Sequence, residues 1–119
     1  DVDITRESQM ILSCVKRIHD KLGYDVGINL LGNVLRGSKS KRVLELSLDS
    51  LTTYGLLKEK GRSDIHAMID HLEAEGYLQT DPEFQTVGVV YRVGMQIARR
   101  VAMVGIAIAQ SVWTLYRAT

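Results

Sequence analysis

A chain of 119 residues is long enough for one domain with a real core and short for two. Its 15 basic and 14 acidic side chains leave a net charge of +1, which excludes a uniformly basic nucleic-acid binder. A lone Cys14 excludes an intrachain disulfide and, with three scattered histidines, the paired-cysteine spacing of a structural zinc site.

Residues 8 to 22 place Met10, Ile11, Cys14, Val15, Ile18 and Leu22 on one stripe at helical spacing, with Thr5 or Ser8 as caps and Gly23 as the stop. Cys14 on that stripe reads as a small buried hydrophobe. Asp1 and Asp3 stand where a secretory signal would be positive and then apolar, so an intracellular, reducing setting is expected. The missing initiating Met points to a piece of a longer protein. Ile28, Leu31, Val34 and Leu35 share the face of a second helix over Ile28 to Leu35.

The basic stretch VLRGSKSKRV follows, from Val34 to Val43. Charge is concentrated there: up to Leu35 the chain has 4 basic and 5 acidic residues, from Arg36 to Arg62 it has 7 and 3, from Ser63 to Tyr91 none and 6, and beyond that 4 and none. Arg36, Lys39, Lys41 and Arg42 alternate with Gly37, Ser38 and Ser40, so cations and hydroxyls are spaced along a loop. Such spacing suits a line of phosphates better than a single pocket, because each cation meets one oxygen and hydroxyls add neutral donors. The competing reading is a solvated basic loop.

Leu44, Leu46, Leu48 and Leu51 alternate and then shift period, which predicts a brief extended piece passing into a short helix that ends near Tyr54 and Gly55. Lys58, Lys60 and Arg62 surround Gly61 as further phosphate contacts or as solvated charges. Ser63 is then the expected N-cap of a fourth helix, with Asp64 in its first turn, Ile65, Met68, Ile69 and Leu72 on one face, and Gly76 at its end. Tyr77 to Thr80 reads as a strand, Asp81 and Pro82 as a turn, and Phe84 to Tyr91 as the returning strand. The fold class expected is mainly α with a small β-hairpin, in the order of a winged helix, the helix-turn-helix plus β-wing.

The runs ILSCVKRI, LRGSKSKRV, LTTYGLLKEK and IHAMIDHLEAEGYL carry a resemblance to the RQC domain of bacterial RecQ-type ATP-dependent DNA helicases, over roughly Ile4 to Val90. The resemblance implies a winged-helix module that follows ATPase lobes and a zinc-binding subdomain in the parent enzyme. It implies a grip on duplex DNA beside a junction through the loop matched by Arg36, Ser38 and Arg42 and the helix start matched by Lys58 and Ser63. It also implies a wedge at the wing, matched here by Phe84; a core position is the competing reading for a single Phe. Double-stranded and forked DNA, without sequence preference, and the rest of the helicase are the implied partners, and the bacterial cytoplasm and nucleoid the implied place.

The chain contains no GxxxxGK[ST] motif, so this stretch is expected neither to hydrolyse ATP nor to unwind DNA alone, and to need no cofactor or metal. His66 and His71 are five apart, a poor metal pair, and read as surface histidines. The outer face of the fourth helix carries His66, Asp70, His71, Glu73 and Glu75, and phosphates would repel its carboxylates. Its positive N-terminus and the neighbouring loops are therefore the expected contacts, rather than a helix deep in a groove.

The domain is expected to span 1–91. From Arg92 the chain departs from the family pattern: Ile97, Val101, Val104, Ile108, Val112 and Leu115 form one long apolar face within 92–119, too interrupted by charge for a membrane span. Self-association through 95–117 is the expectation there. Two other functions fit the same parts, a dimeric winged-helix transcription regulator and a protein-interaction module of the same fold.

Overall fold

The computed structural model describes residues 2–90; the apolar stretch of 92–119, and the self-association expected of it, lie outside the described residues. Helix α1 runs Val2–Leu22, strand β1 Val26–Gly27, helix α2 Ile28–Arg36, helix α3 Lys41–Glu45, a 3-10 turn Leu48–Ser50, helix α4 Arg62–Ala74, strand β2 Leu78–Thr80 and strand β3 Thr86–Val89. The mainly helical architecture with a winged-helix order of elements is the one the sequence pattern implies.

The stripes explain the packing. Ile11, Cys14, Val15 and Ile18 of α1 are buried together with Leu31, Val34 and Leu35 of α2 and Ile65, Ile69 and Leu72 of α4. Val43 and Leu48 close the core from the connection, and Val26, Leu78 and Val87 from the sheet. Each such side chain contributes roughly 1.5–3 kcal/mol on burial, so the three long helices hold one another in place.

The sheet has the order β1-β3-β2, with both pairings antiparallel. Val26 faces Val87 and Gly27 faces Thr86, while Leu78 faces Val89 and Thr80 faces Val87. The wing is therefore more than a hairpin: two residues between α1 and α2 add a third strand that ties it to the helices.

Four local expectations are corrected. Helix α1 reaches back to Val2, so Thr5 and Ser8 lie inside it and do not cap it, and Ser8 is buried. Residues 41–45 form a short helix, not an extended piece, and the chain from Leu51 to Lys60 is a run of turns. The alternating leucines imitate a strand because a five-residue helix is too short to display its own period. Gly61 occupies the N-cap of α4 in extended conformation, and Ser63 is the second residue of the helix. The returning strand begins at Thr86, leaving Phe84 in the turn and Tyr91 outside the described residues.

Two glycines of one segment respond oppositely to a side chain. Gly32 is buried mid-helix, where an added Cβ would meet the nearest atom, His66 Nε2, at 3.6 Å, an ordinary contact. Gly37 has φ 74°, and its Cβ would stand 3.2 Å from the Gly55 Cα. Gly32→Ala is expected to raise stability by about 0.5–1 kcal/mol and Gly37→Ala to lower it by at least as much, as chemical denaturation of both variants will read.

Candidate nucleic-acid interface

The basic loop is built from the end of α2. Gly37 in left-handed conformation lets its N–H donate to Val34 O (3.1 Å) and the Ser38 N–H to Asn33 O (2.9 Å), the paired bonds of a Schellman ending. The turns after Leu51 then lie across this end, where Gly55 N donates to Val34 O (2.9 Å) and Leu57 N to Leu35 O (2.8 Å). Between them, the Tyr54 hydroxyl donates to Gly37 O (2.8 Å) and is 3.1 Å from Ser38 O. The carbonyls at the end of the helix, which an isolated helix leaves without partners, are thus taken up on the inner side.

The stretch itself is cationic. Lys39, Lys41 and Arg42 are exposed and Arg36 half-buried, and among the described residues none of the four has a carboxylate partner. Ser38 Oγ accepts the Ser40 N–H at 3.2 Å, which folds the loop back into α3 and leaves the hydroxyl hydrogen available to an acceptor. Ser40 is the N-cap of α3, and Leu44 N bonds back to Ser40 O at 3.1 Å.

The second group of expected contacts is less uniform. Lys58 and Ser63 are exposed without an ionic or side-chain hydrogen-bond partner among the described residues. Lys60 Nζ is 3.4 Å from Glu7 on α1, which offsets its charge, and Arg62 Nη2 donates to Asn29 Oδ1 at 2.8 Å. Asn29, at the start of α2, therefore orients Arg62 without neutralising it. Nothing in its sequence position marks Asn29 for that role.

Helix α4 presents Asp64, Asp70, His71 and Glu75 to solvent. Two residues assigned to that face behave otherwise. Glu73 is half-buried and accepts a hydrogen bond from the Thr80 hydroxyl (3.0 Å), so it ties α4 to β2 and is more than a solvating charge. His66 is half-buried against Gly32, with Nε2 buried and without a hydrogen-bond partner among the described residues, which makes it a packing residue. No cluster of three or more His, Cys, Asp or Glu that could hold a metal ion occurs among the described residues.

At the wing, Asp81 Oδ1 accepts the backbone N–H groups of Glu83 (2.8 Å) and Phe84 (2.9 Å), and Asp81 O accepts that of Gln85 (2.8 Å). Pro82 adds a fixed φ to this Asx turn. Phe84 is 70% exposed at its tip, which overturns the core reading for this side chain.

Cys14 is the one nucleophilic thiol, and it is sealed in the core. Burial pushes it up to about 12 from the usual 9.0, against the smaller opposing effects of the Thr53 hydroxyl and the Arg17 charge. Burial, aided by the Glu75 charge, likewise raises Tyr77. Neither group is placed to do chemistry.

With that geometry in view, two comparisons are decisive. The family model of the RQC domain matches residues 1–106. The chain belongs to the RQC domain family. It is also 34% identical over 116 residues to the ATP-dependent DNA helicase RecQ of Bacillus subtilis (strain 168), an alignment that covers 92% of this chain and 19% of the relative. The chain thus spans about a fifth of the length of that relative. Within the RQC domain the structure sets Arg36 at the end of α2, Ser38 and Lys39 in the short loop that follows and Lys41 and Arg42 at the start of α3, places Lys58, Lys60, Arg62 and Ser63 at the entrance to α4, and holds Phe84 apart on the wing. No described helix is long and apolar enough to cross a membrane.

The sealed thiol makes a direct prediction. Cys14 should resist alkylation in the folded chain at pH 9 and react on unfolding, as mass spectrometry will count. The linkage has one sign: above about 9.0 the unfolded thiol loses its proton while the folded one keeps it, so the stability contributed by Cys14 falls as pH rises from about 9 toward 12.

Proposed function

We propose that this RQC domain is the accessory DNA-binding domain of a RecQ-type helicase, that it grips duplex DNA beside a junction through phosphate contacts, and that it sets the β-wing at the point of strand separation. The observation that carries this reading is the stretch from Arg36 to Arg42, a row of cations without carboxylate partners among the described residues, with the Gly37 and Ser38 carbonyls engaged by the Tyr54 hydroxyl. A row of donors on a fixed backbone suits phosphates, whose positions are the same in every duplex. Lys58, Arg62 and Ser63 extend the row toward the N-terminal end of α4, where the helix dipole adds to the attraction. Lys60 contributes least, being paired with Glu7.

The acidic outer face of α4 supports the sequence-independent part of this reading. Asp64, Asp70 and Glu75 would meet phosphates on both walls of a major groove, so α4 is held off the bases and reads none of them. The same face weighs against a gene regulator. The wing tip supports the wedge: its acidic residues disfavour a backbone contact, while an aromatic ring 70% exposed can stack on the last base pair or on an unpaired base. The ATPase lobes and zinc subdomain of the parent enzyme would supply the motor, in the bacterial cytoplasm at the nucleoid.

The test is fluorescence anisotropy of this chain with blunt duplex, forked duplex, single strand and Holliday junction of unrelated sequences, across a salt series. Steeply salt-dependent binding to every duplex-containing form is expected; absence of binding to all four would overturn the reading. Arg36→Ala should weaken binding to all duplexes alike and lower the salt slope by roughly one, whereas a loss confined to one sequence would contradict a phosphate contact. Phe84→Ala should leave stability within about 0.5 kcal/mol and duplex affinity unchanged, and should lower strand separation by the intact helicase.

A further inference from the structure

We propose that Tyr54 is a positioning residue for the DNA contact, acting through the backbone of the basic loop; this rests on the reading of that loop as phosphate-binding. Tyr54 belongs to the run of turns after Leu51, 16 to 17 residues from the loop in sequence, and a phenol brings no positive charge to DNA. Its hydroxyl is 2.8 Å from Gly37 O and 3.1 Å from Ser38 O, the two carbonyls that stand among the cations. A peptide carbonyl carries partial negative charge. If either turned outward, it would face the same phosphate oxygen that Arg36 and Lys39 are placed to meet, and would be repelled by it. The phenol donates its one proton to Gly37 O, with Ser38 O also within its reach, and so engages the carbonyls of the loop that would otherwise be free to turn toward a phosphate.

The surrounding geometry is arranged to keep the phenol there. Gly55 N and Leu57 N are anchored on Val34 O and Leu35 O at 2.9 and 2.8 Å, which fixes the backbone on the C-terminal side of Tyr54. Gly37 and Gly55 approach so closely that a Cβ on Gly37 would lie 3.2 Å from the Gly55 Cα, and both take left-handed φ, 74° and 73°. The ring is thereby set beneath the loop, while the far end of the loop is fixed by the Ser40 N–H to Ser38 Oγ bond. Removing one hydroxyl should let the Gly37 and Ser38 peptides rotate without moving any apolar group.

Tyr54→Phe is therefore the variant to measure, in the full 119-residue chain, against a blunt duplex across a salt series. Affinity is expected to fall by roughly fivefold, the worth of one hydrogen bond that organises the site. The same change is then made in an Arg36→Ala, Lys39→Ala background. A residue acting through those cations should lose most of its effect there, to less than twofold, because the contacts it positions are gone. Equal losses in both backgrounds would make Tyr54 a general structural residue and overturn the proposal, as would unchanged affinity in Tyr54→Phe. If the variant does not melt cooperatively, Gly32→Ala is added to support α2 from a position away from the loop; a chain still unfolded then would also overturn it. Failure of the unsubstituted chain to bind any duplex removes the phosphate reading and this inference together, whereas normal binding with an indifferent Tyr54→Phe removes the inference alone.

Discussion

The rest of the structure depends on how the end of α2 is finished. A helix that stops at a solvent-exposed loop leaves its last carbonyls to water, and the loop then moves with them. Here Val34 O and Leu35 O receive the amides of Gly55 and Leu57, so two segments about twenty residues apart are locked by backbone-to-backbone bonds. Leu57 is buried at the same place, and the bonds are thereby kept from water. The basic loop inherits its shape from this junction, as does the approach to α4.

The junction also explains how a domain with almost no net charge can present a strongly cationic edge. The cations are spread over two segments, Arg36 to Arg42 and Lys58 to Arg62, each attached to one side of the same crossing. The carboxylates of α4 lie beyond it, and Glu73 is further engaged with Thr80. Separation of charge by architecture, rather than by excess, sets a cationic edge beside an acidic helix face.

The wing is built on the opposite economy. Its strands are only three and four residues long, and the pairing of β3 with both β1 and β2 gives them the support that a free hairpin lacks. Asp81 spends its carboxylate on the amides of the turn, which keeps the tip rigid enough to hold an aromatic ring in water. An exposed Phe on a well-bonded turn costs solvation without helping the core.

Helices α1, α2 and α4 were legible in the chain because each repeats an apolar position often enough to display its period, with Gly23 and Gly76 ending α1 and α4, and the two wing strands were legible from the β-prone residues on either side of Asp81 and Pro82. The row of candidate cations and the family resemblance were legible too. What the sequence by itself determined was therefore the set of elements, their order and the charge each carries. Only the tertiary structure decided that 41–45 coils, that Val26 and Gly27 form a strand, that Gly61 rather than Ser63 caps α4, that Phe84 stands in solvent, and that Tyr54 lies under the loop. These features share a physical cause. Each is settled by a partner distant in the chain or by a burial too short to leave a periodic trace, so the information exists only once the helices have packed.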